Sequence, residues 1–199
     1  MPVPLLLASA SATRTEMLRR AGLQIEITPA RIDEHTLKES FAAEGVTPRE
    51  IADALAEQKA RKVSTRHDGA LVLGCDQILD FDGAALSKPE SRDAARAQLT
   101  RLRGSEHRLY SAAVLARDGA PVWRAVEAAR LTMRDFSDRY LDDYLDRNWP
   151  DIAGSVGGYR IEEEGVRLFQ RIDGSHFAIL GLPLLPLLTH LATIGEIPA

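Results

Sequence analysis

Apolar and polar positions change their spacing in blocks along the chain, and each change marks an element. Leu5-Leu6-Leu7-Ala8 is an apolar run of strand length. It stops at Ser9-Ala10-Ser11-Ala12-Thr13, after which Met17, Leu18 and Ala21 fall at helical spacing up to Gly22. Gln24 to Thr28 predicts a short strand closed by Pro29, and Arg31-Ile32-Asp33-Glu34-His35 a polar loop. Thr47, Pro48 and Glu50 start a helix with a capping box. It carries Ile51, Leu55, Lys59 and Lys62 as far as Arg66, and His67-Asp68-Gly69 ends it. Ala70 to Leu79 is apolar on both sides of Asp76-Gln77, the pattern of a central, buried strand. Asp80-Phe81-Asp82-Gly83 has turn chemistry, and a short strand precedes Lys88-Pro89.

Ser91 to Leu102 predicts an amphipathic helix with Gly104 past its end. His107 to Ala116 and Pro121 to Met133 predict two strands joined by the hairpin turn Asp118-Gly119. Ser137 caps a helix reaching Arg147. Gly154-Ser155-Val156-Gly157-Gly158 predicts a flexible loop beside a site or at a hinge, and Val166 to Ile172 a further strand. Phe177 to Leu191 is apolar but broken by Gly181, Pro183 and Pro186, so it reads as buried core and a terminal helix. This order of elements predicts an α/β protein with a mixed sheet, in one domain over residues 1–199.

Composition narrows the function. A chain of 199 residues, 45% hydrophobic and 27% charged, suits a soluble domain with a real core. The net charge of −4 argues against non-specific nucleic-acid binding, which needs broad positive surface, but leaves room for a local cationic pocket. Cys75 is the single cysteine, so no intrachain disulfide or thiolate cluster forms, which agrees with a cytoplasmic setting. No apolar run reaches spanning length and no signal peptide is expected. The five histidines show no metal-ligand spacing.

Candidate chemistry follows from the strand-to-helix junctions. A strand feeding a helix through Ser-x-Ser directs backbone N–H groups and a positive dipole end outward, an anion site that Arg14 supplements with planar donors. The plainer alternative is that Ser11 only caps the helix and Arg14 is solvated. Asp76 lies in an apolar strand, where an ion must be paired or metal-bound, or else lie at a strand edge that reaches water. Glu34, Lys59 and Lys88 are ordinary singly; together they offer acids for a divalent cation and cations for phosphate charge. Ile78-Leu79-Asp80-Phe81-Asp82-Gly83 is similar to the nucleophile signature of haloacid dehalogenase-type phosphatases. Ala84 follows where a hydroxyl residue is wanted, and most of an α/β unit precedes it.

Taken in order, Ala8-Ser9-Ala10-Ser11-Ala12-Thr13-Arg14, Asp33-Glu34, Gln58-Lys59-Ala60, Gly74-Cys75-Asp76-Gln77, Ser87-Lys88-Pro89 and Gly181-Leu182-Pro183 resemble the Maf family of nucleoside triphosphate pyrophosphatases over nearly the whole chain. The resemblance implies the Maf/ITPase-like fold: an elongated, bent mixed sheet with flanking helices and two lobes around a central cleft. It implies hydrolysis of a nucleoside triphosphate between the α and β phosphates, with Mg or Mn as divalent cofactor. Asp76 is implied as the base that activates water and, with Glu34, as a metal ligand, while Lys59 and Lys88 stabilise charge. Ser9, Ser11 and Arg14 would hold the phosphate chain. Thr13, Gln77 and Glu162 fall where the family reads the base. Gln77 and Glu162 match the 7-methyl-GTP branch over the thymidine/uridine branch, whereas Thr13 lacks that branch's aromatic ring. Cys75 stands where the family usually has Ser or Ala. Expected partners are the nucleotide and, at most, a second copy in a homodimer, with neither nucleic acid nor membrane. The rival expectation is a nucleotide-binding regulator of septum formation without significant turnover.

Overall fold

The computed structural model describes residues 4–198. The chain opens with β1 (Leu5–Leu7), α1 (Ala12–Arg20), β2 (Ile25–Ile27), α2 (Glu34–Ala43) and α3 (Pro48–Ser64). β3 (Val72–Phe81), β4 (Ala84–Leu86) and α4 (Arg92–Leu102) follow, then the long strands β5 (Glu106–Arg117) and β6 (Ala120–Met133). The chain ends with α5 (Asp138–Asn148), 3-10 turns between 151 and 168, β7 (Phe169–Asp173), α6 (His176–Ile179) and α7 (Leu184–Thr193).

The seven strands form one mixed sheet in the order β2-β1-β3-β5-β6-β7, with β4 paired to β3. β1 runs parallel to β2 and β3, and the other pairs are antiparallel. The β5–β6 hairpin closes through Asp118 and Gly119, both at positive φ (50° and 78°), the two-residue turn that matches strand twist.

Alternation along β3 sorts its side chains to opposite faces. Gly74, Asp76 and Ile78 face α3, where Ile78 joins Ile51, Leu55, Ala56 and Ala60 in one apolar cluster. Leu73 and Cys75 face α1 and α7, packing with Leu18, Leu182 and Leu187. Farther along the sheet, Leu79, Leu109 and Leu131 pack with α4, α5 and the turns around Tyr159. Helices therefore flank the sheet as two groups, and the long strands run through both.

Four boundaries differ from the sequence reading. Residues 34–43 are helical, not loop: Asp33 caps α2 by accepting from Thr36 N–H, and Leu37 and Phe41 rest against the α3 cluster. No residue of α2 is fully buried, so its apolar stripe is weak. β3 continues through Asp80 and Phe81, leaving only Asp82-Gly83 as the turn. The last strand begins at Phe169, because 164–168 wind as a 3-10 turn. The 154–158 stretch is not a loose loop, since Val156, Gly157 and Gly158 are buried. A Cβ on Gly157 would lie 2.6 Å from the Tyr159 ring and 2.7 Å from Leu79.

Close approach of α3 to β3 depends on Gly74, where a Cβ would sit 2.1 Å from the Ala56 carbonyl and 2.6 Å from Ala60 N. Both are backbone atoms, so the helix itself would have to move. Gly74→Ala is expected to destabilise the fold by about 3 kcal/mol, read as the shift of the urea midpoint. A change within about 0.5 kcal/mol would show that α3 can yield.

His107, the one buried histidine, lies on β5 against Tyr159 and Phe169. Its Nε2 is 2.7 Å from the Tyr159 hydroxyl, and Nδ1 has no partner. Burial pulls its pKa from 6.5 down to about 4. Between those values the unfolded chain binds a proton that the folded chain does not. Stability from this residue is complete above pH 6.5 and is lost as pH falls toward 4, by about 3 kcal/mol at most. In His107→Gln, the slope of unfolding free energy against pH over that window should flatten; a slope equal to that of the parent protein would remove His107 as its source.

Candidate active site

A cleft of about 490 Å³ opens between the two helical groups. One wall is the β1–α1 junction, Ala8 to Arg14, and the facing wall is Gly154 to Val156 with Tyr159 to Glu162. Glu34, Lys38, Lys59, Asp76, Gln77 and Lys88 line the space between. All ten site residues expected from sequence (Ser9, Ser11, Thr13, Arg14, Glu34, Lys59, Asp76, Gln77, Lys88 and Glu162) are in this one lining.

At the centre Lys59 and Asp76 are 6% and 4% exposed. Lys59 Nζ lies 2.5 Å from Asp76 Oδ1 and 2.7 Å from Glu34 Oε1, so one ammonium bridges two carboxylates. The opposite reading of Asp76, a strand edge in water, is excluded by this burial. Asp76 Oδ2 is buried without a hydrogen-bond partner. Burial pushes the Glu34 carboxyl up, but Lys59, by charge and hydrogen bond, and then Lys38 and Lys88 outweigh it and leave it below its ordinary value. Lys88 is drawn down by desolvation at the cleft mouth, against the pull of Glu34. Gln98 Nε2 donates to the Ser87 carbonyl at 2.8 Å and anchors the segment carrying Lys88.

At the β1–α1 junction both readings of Ser11 hold part of the truth. Its Oγ accepts from Arg14 N–H at 3.3 Å as the helix cap, and it also lines the cleft. The first-turn N–H groups beyond it have no intrahelical acceptor and present a partial positive charge. Arg14 is not simply solvated. Its Nε donates to the Gly181 carbonyl at 2.8 Å, and Nη1 reaches the Cys75 carbonyl at 3.1 Å and Ser9 Oγ at 3.3 Å. The guanidinium thus ties α1, β3 and the 181 turn together, leaving Nη2 as its open donor nitrogen. Gly181 has φ 99°, and a Cβ there would come 3.2 Å from that Nη2.

Gln77 points to the face opposite Asp76. Its Nε2 donates to Ser111 Oγ (3.0 Å) and to the carbonyls of Ala178 (3.1 Å) and Ile179 (2.9 Å). Carbonyls on that side require the amide nitrogen there, so Oε1 is the atom left without a partner among the described residues. Glu162 is exposed on the far wall. Cys75 is buried and its thiol is pushed up to about 11, chiefly by desolvation, so it is not a nucleophile. Asp80 stands outside the cleft, and its Oδ1 accepts from Gly83 N–H at 2.8 Å. It lies near the end of β3 and braces the Asp82-Gly83 turn, apart from the cleft residues.

For a cation the chain offers two carboxylates, Glu34 and Asp76. No group of three or more His, Cys, Asp or Glu able to hold a metal occurs among the described residues. That donor set, with an unpartnered buried oxygen on Asp76, fits Mg or Mn taken up together with phosphate oxygens, and it does not fit a metal caged by protein alone. Sequence reasoning missed Lys38, which lines the cleft 3.9 Å from Glu34, because α2 was not recognised. Asp33 with Thr36 and the Leu37/Phe41 pair were the available signal. It also missed Tyr159, held from behind by His107, for which local sequence carries no signal.

The chain is similar to curated proteins along its full length. It is 56% identical over 198 residues to a nucleoside triphosphate pyrophosphatase of Roseobacter denitrificans, covering 100% of both chains. A protein of the same name from Ruegeria pomeroyi is 54% identical, with 99% of each chain covered. A 7-methyl-GTP pyrophosphatase of Mesorhizobium japonicum is 46% identical, again over 99% of each. The Maf-like protein family matches residues 4–194, and the chain belongs to that family.

Proposed function

We propose that this protein is a hydrolase that cleaves nucleoside triphosphates between the α and β phosphates, releasing a nucleoside monophosphate and pyrophosphate. The observation that carries it is the buried Lys59–Asp76 pair, joined by the half-exposed Glu34, sharing one cleft with the N-terminus of α1. The names of relatives at 56% and 54% identity support the same reaction.

The α1 N-terminus, Ser9, Arg14 Nη2 and Lys88 hold the phosphate chain. Such chemistry needs positioning and charge neutralisation more than covalent help. Lys59 clamps Asp76 by Oδ1 and leaves Oδ2 buried with no hydrogen-bond partner, which makes Oδ2 the oxygen free to act as base. That oxygen takes the proton of an incoming water as its oxygen bonds to phosphorus, and the α–β bridging P–O bond breaks with its electron pair leaving on pyrophosphate. Glu34 and Asp76 would hold a divalent Mg or Mn, which would neutralise phosphate charge when bound. Residues 1–199 act as one domain, and no described helix is long and apolar enough to cross a membrane. A cytoplasmic setting suits the buried free thiol and the nucleotide substrate.

At the base, Gln77 Oε1 and the Glu162 carboxylate are acceptors, suited to a purine rich in N–H donors or bearing positive charge. The name of one relative, a 7-methyl-GTP pyrophosphatase at 46% identity, supports 7-methyl-GTP as the substrate ahead of dTTP or UTP. The polar Thr13 supplies no stacking ring.

Incubation of a triphosphate panel with Mg or Mn should yield pyrophosphate; orthophosphate as the product would refute the cleavage site. Asp76→Asn should lower kcat by at least about 100-fold with cooperative unfolding retained, whereas Asp80→Asn should stay within about twofold. Turnover surviving in Asp76→Asn would remove its role as base, and a binder without turnover would favour the regulatory reading. For base choice, kcat/KM should rank 7-methyl-GTP above dTTP and UTP, and Glu162→Gln should shrink that ratio by about tenfold. Equal rates on all three would show that Gln77 and Glu162 do not read the base.

A further inference from the structure

A second pocket, about 320 Å³, lies behind the cleft wall at Pro29 and Ala30, residues that line both cavities. Its remaining lining is Thr28, Arg31, Lys62, Val63, Arg66 and His67, with no carboxylate among the described residues. In a chain whose net charge is −4, this is a concave patch of three permanent cations and an imidazole. Elsewhere arginines and lysines are widely paired with acids, as Arg124 is with Asp53 and Glu57. Arg31, Lys62 and Arg66 form no ion pair with a described residue.

Complementing the α3 C-terminus explains Lys62, which lies in the last turn. It does not explain Arg31, which comes from the segment after β2. Lys62 donates to the Arg31 backbone carbonyl and so holds that segment against α3. Three like charges brought together without acids repel one another, and an anion between them relieves that repulsion. The apolar lining is only Pro29, Ala30 and Val63, with no aromatic ring to stack on a base. The pocket therefore offers charge recognition without base recognition.

We infer that this basic pocket is a second anion site that takes an inorganic polyphosphate, pyrophosphate in particular, separately from the cleft. The choice of pyrophosphate rests on the proposed reaction, since that anion is released on the other side of the Pro29–Ala30 wall. Guanidinium groups from Arg31 and Arg66 offer paired donors to phosphate oxygens, and Lys62 adds a point charge. Bound there, a diphosphate would be held within reach of the reaction chamber without blocking it.

The test is the stoichiometry of pyrophosphate binding to the full chain, by isothermal titration calorimetry without nucleotide, for the parent protein and for the double variant Arg31→Ala/Arg66→Ala. Both side chains are exposed, and circular dichroism checks that the variant folds. The expected result is one fewer pyrophosphate per chain in the variant, with kcat and KM for the nucleotide unchanged when pyrophosphate is removed enzymatically. Equal stoichiometry in the two proteins overturns the site, as does loss of nucleotide turnover along with the bound anion. Because the readout is a difference in binding, it stands apart from the proposed reaction. If the cleft binds no pyrophosphate, the parent binds one and the variant none; if the cleft binds it, the counts are two and one.

Discussion

The Lys59–Asp76 contact is the interaction on which the site depends, and it exists only because a helix and a strand come unusually close. Two ions at 6% and 4% exposure are tolerable when they meet at 2.5 Å, and removing Lys59 leaves the buried Asp76 charge uncompensated, a loss of about 3–5 kcal/mol. Gly74, two residues before Asp76 on the same face, has no side chain to keep the helix away. Ala56 and Ala60 are correspondingly small on the helix side. The stripe that packs the helix thus also sets the height of Lys59 over the strand. Glu34 adds a second acid from α2, so one ammonium bridges two carboxylates and the triad is left with a surplus of negative charge.

This arrangement leaves Asp76 with a single unpaired oxygen. One carboxylate oxygen is held by Lys59 and the other has no partner in the fold. On the opposite face of the same strand, three acceptors hold the Gln77 amide nitrogen and leave its side-chain oxygen unpaired. Consecutive residues of one strand therefore line the same cleft from opposite faces of the sheet. Arg14 braces this stretch, because it donates to the Cys75 carbonyl just before Asp76 and to the Gly181 carbonyl.

The far wall is built differently. Val156, Gly157 and Gly158 are packed under Leu79 and Tyr159, and the Tyr144 hydroxyl donates to the Gly158 carbonyl at 3.2 Å. His107, kept neutral by burial, supports Tyr159 from the sheet. Glycine there serves close packing, which local composition does not distinguish from looseness. That is why the segment reads as a flexible loop in sequence and proves to be a supporting wall.

Period and punctuation in the amino-acid order determined most elements. The long strand around Asp76, the capping box at Thr47, the Asp118-Gly119 hairpin and the Ser137 cap all arise from interactions within a few residues, which is what local pattern records. The ordered motifs from Ser9 to Pro183 carried the family. Helix α2 escaped because its apolar stripe is only two residues wide and half-buried, so its stability comes from a neighbour that local pattern does not contain. Tertiary structure alone decided which charges are paired. Lys59 among Glu57, Arg61 and Lys62 looks like any solvated cation, and only the contact across 17 positions makes it the clamp on Asp76. The same holds for Arg31 beside Arg66: convergence of like charges is a property of folded geometry, because electrostatic energy depends on distance in space and not on distance along the chain.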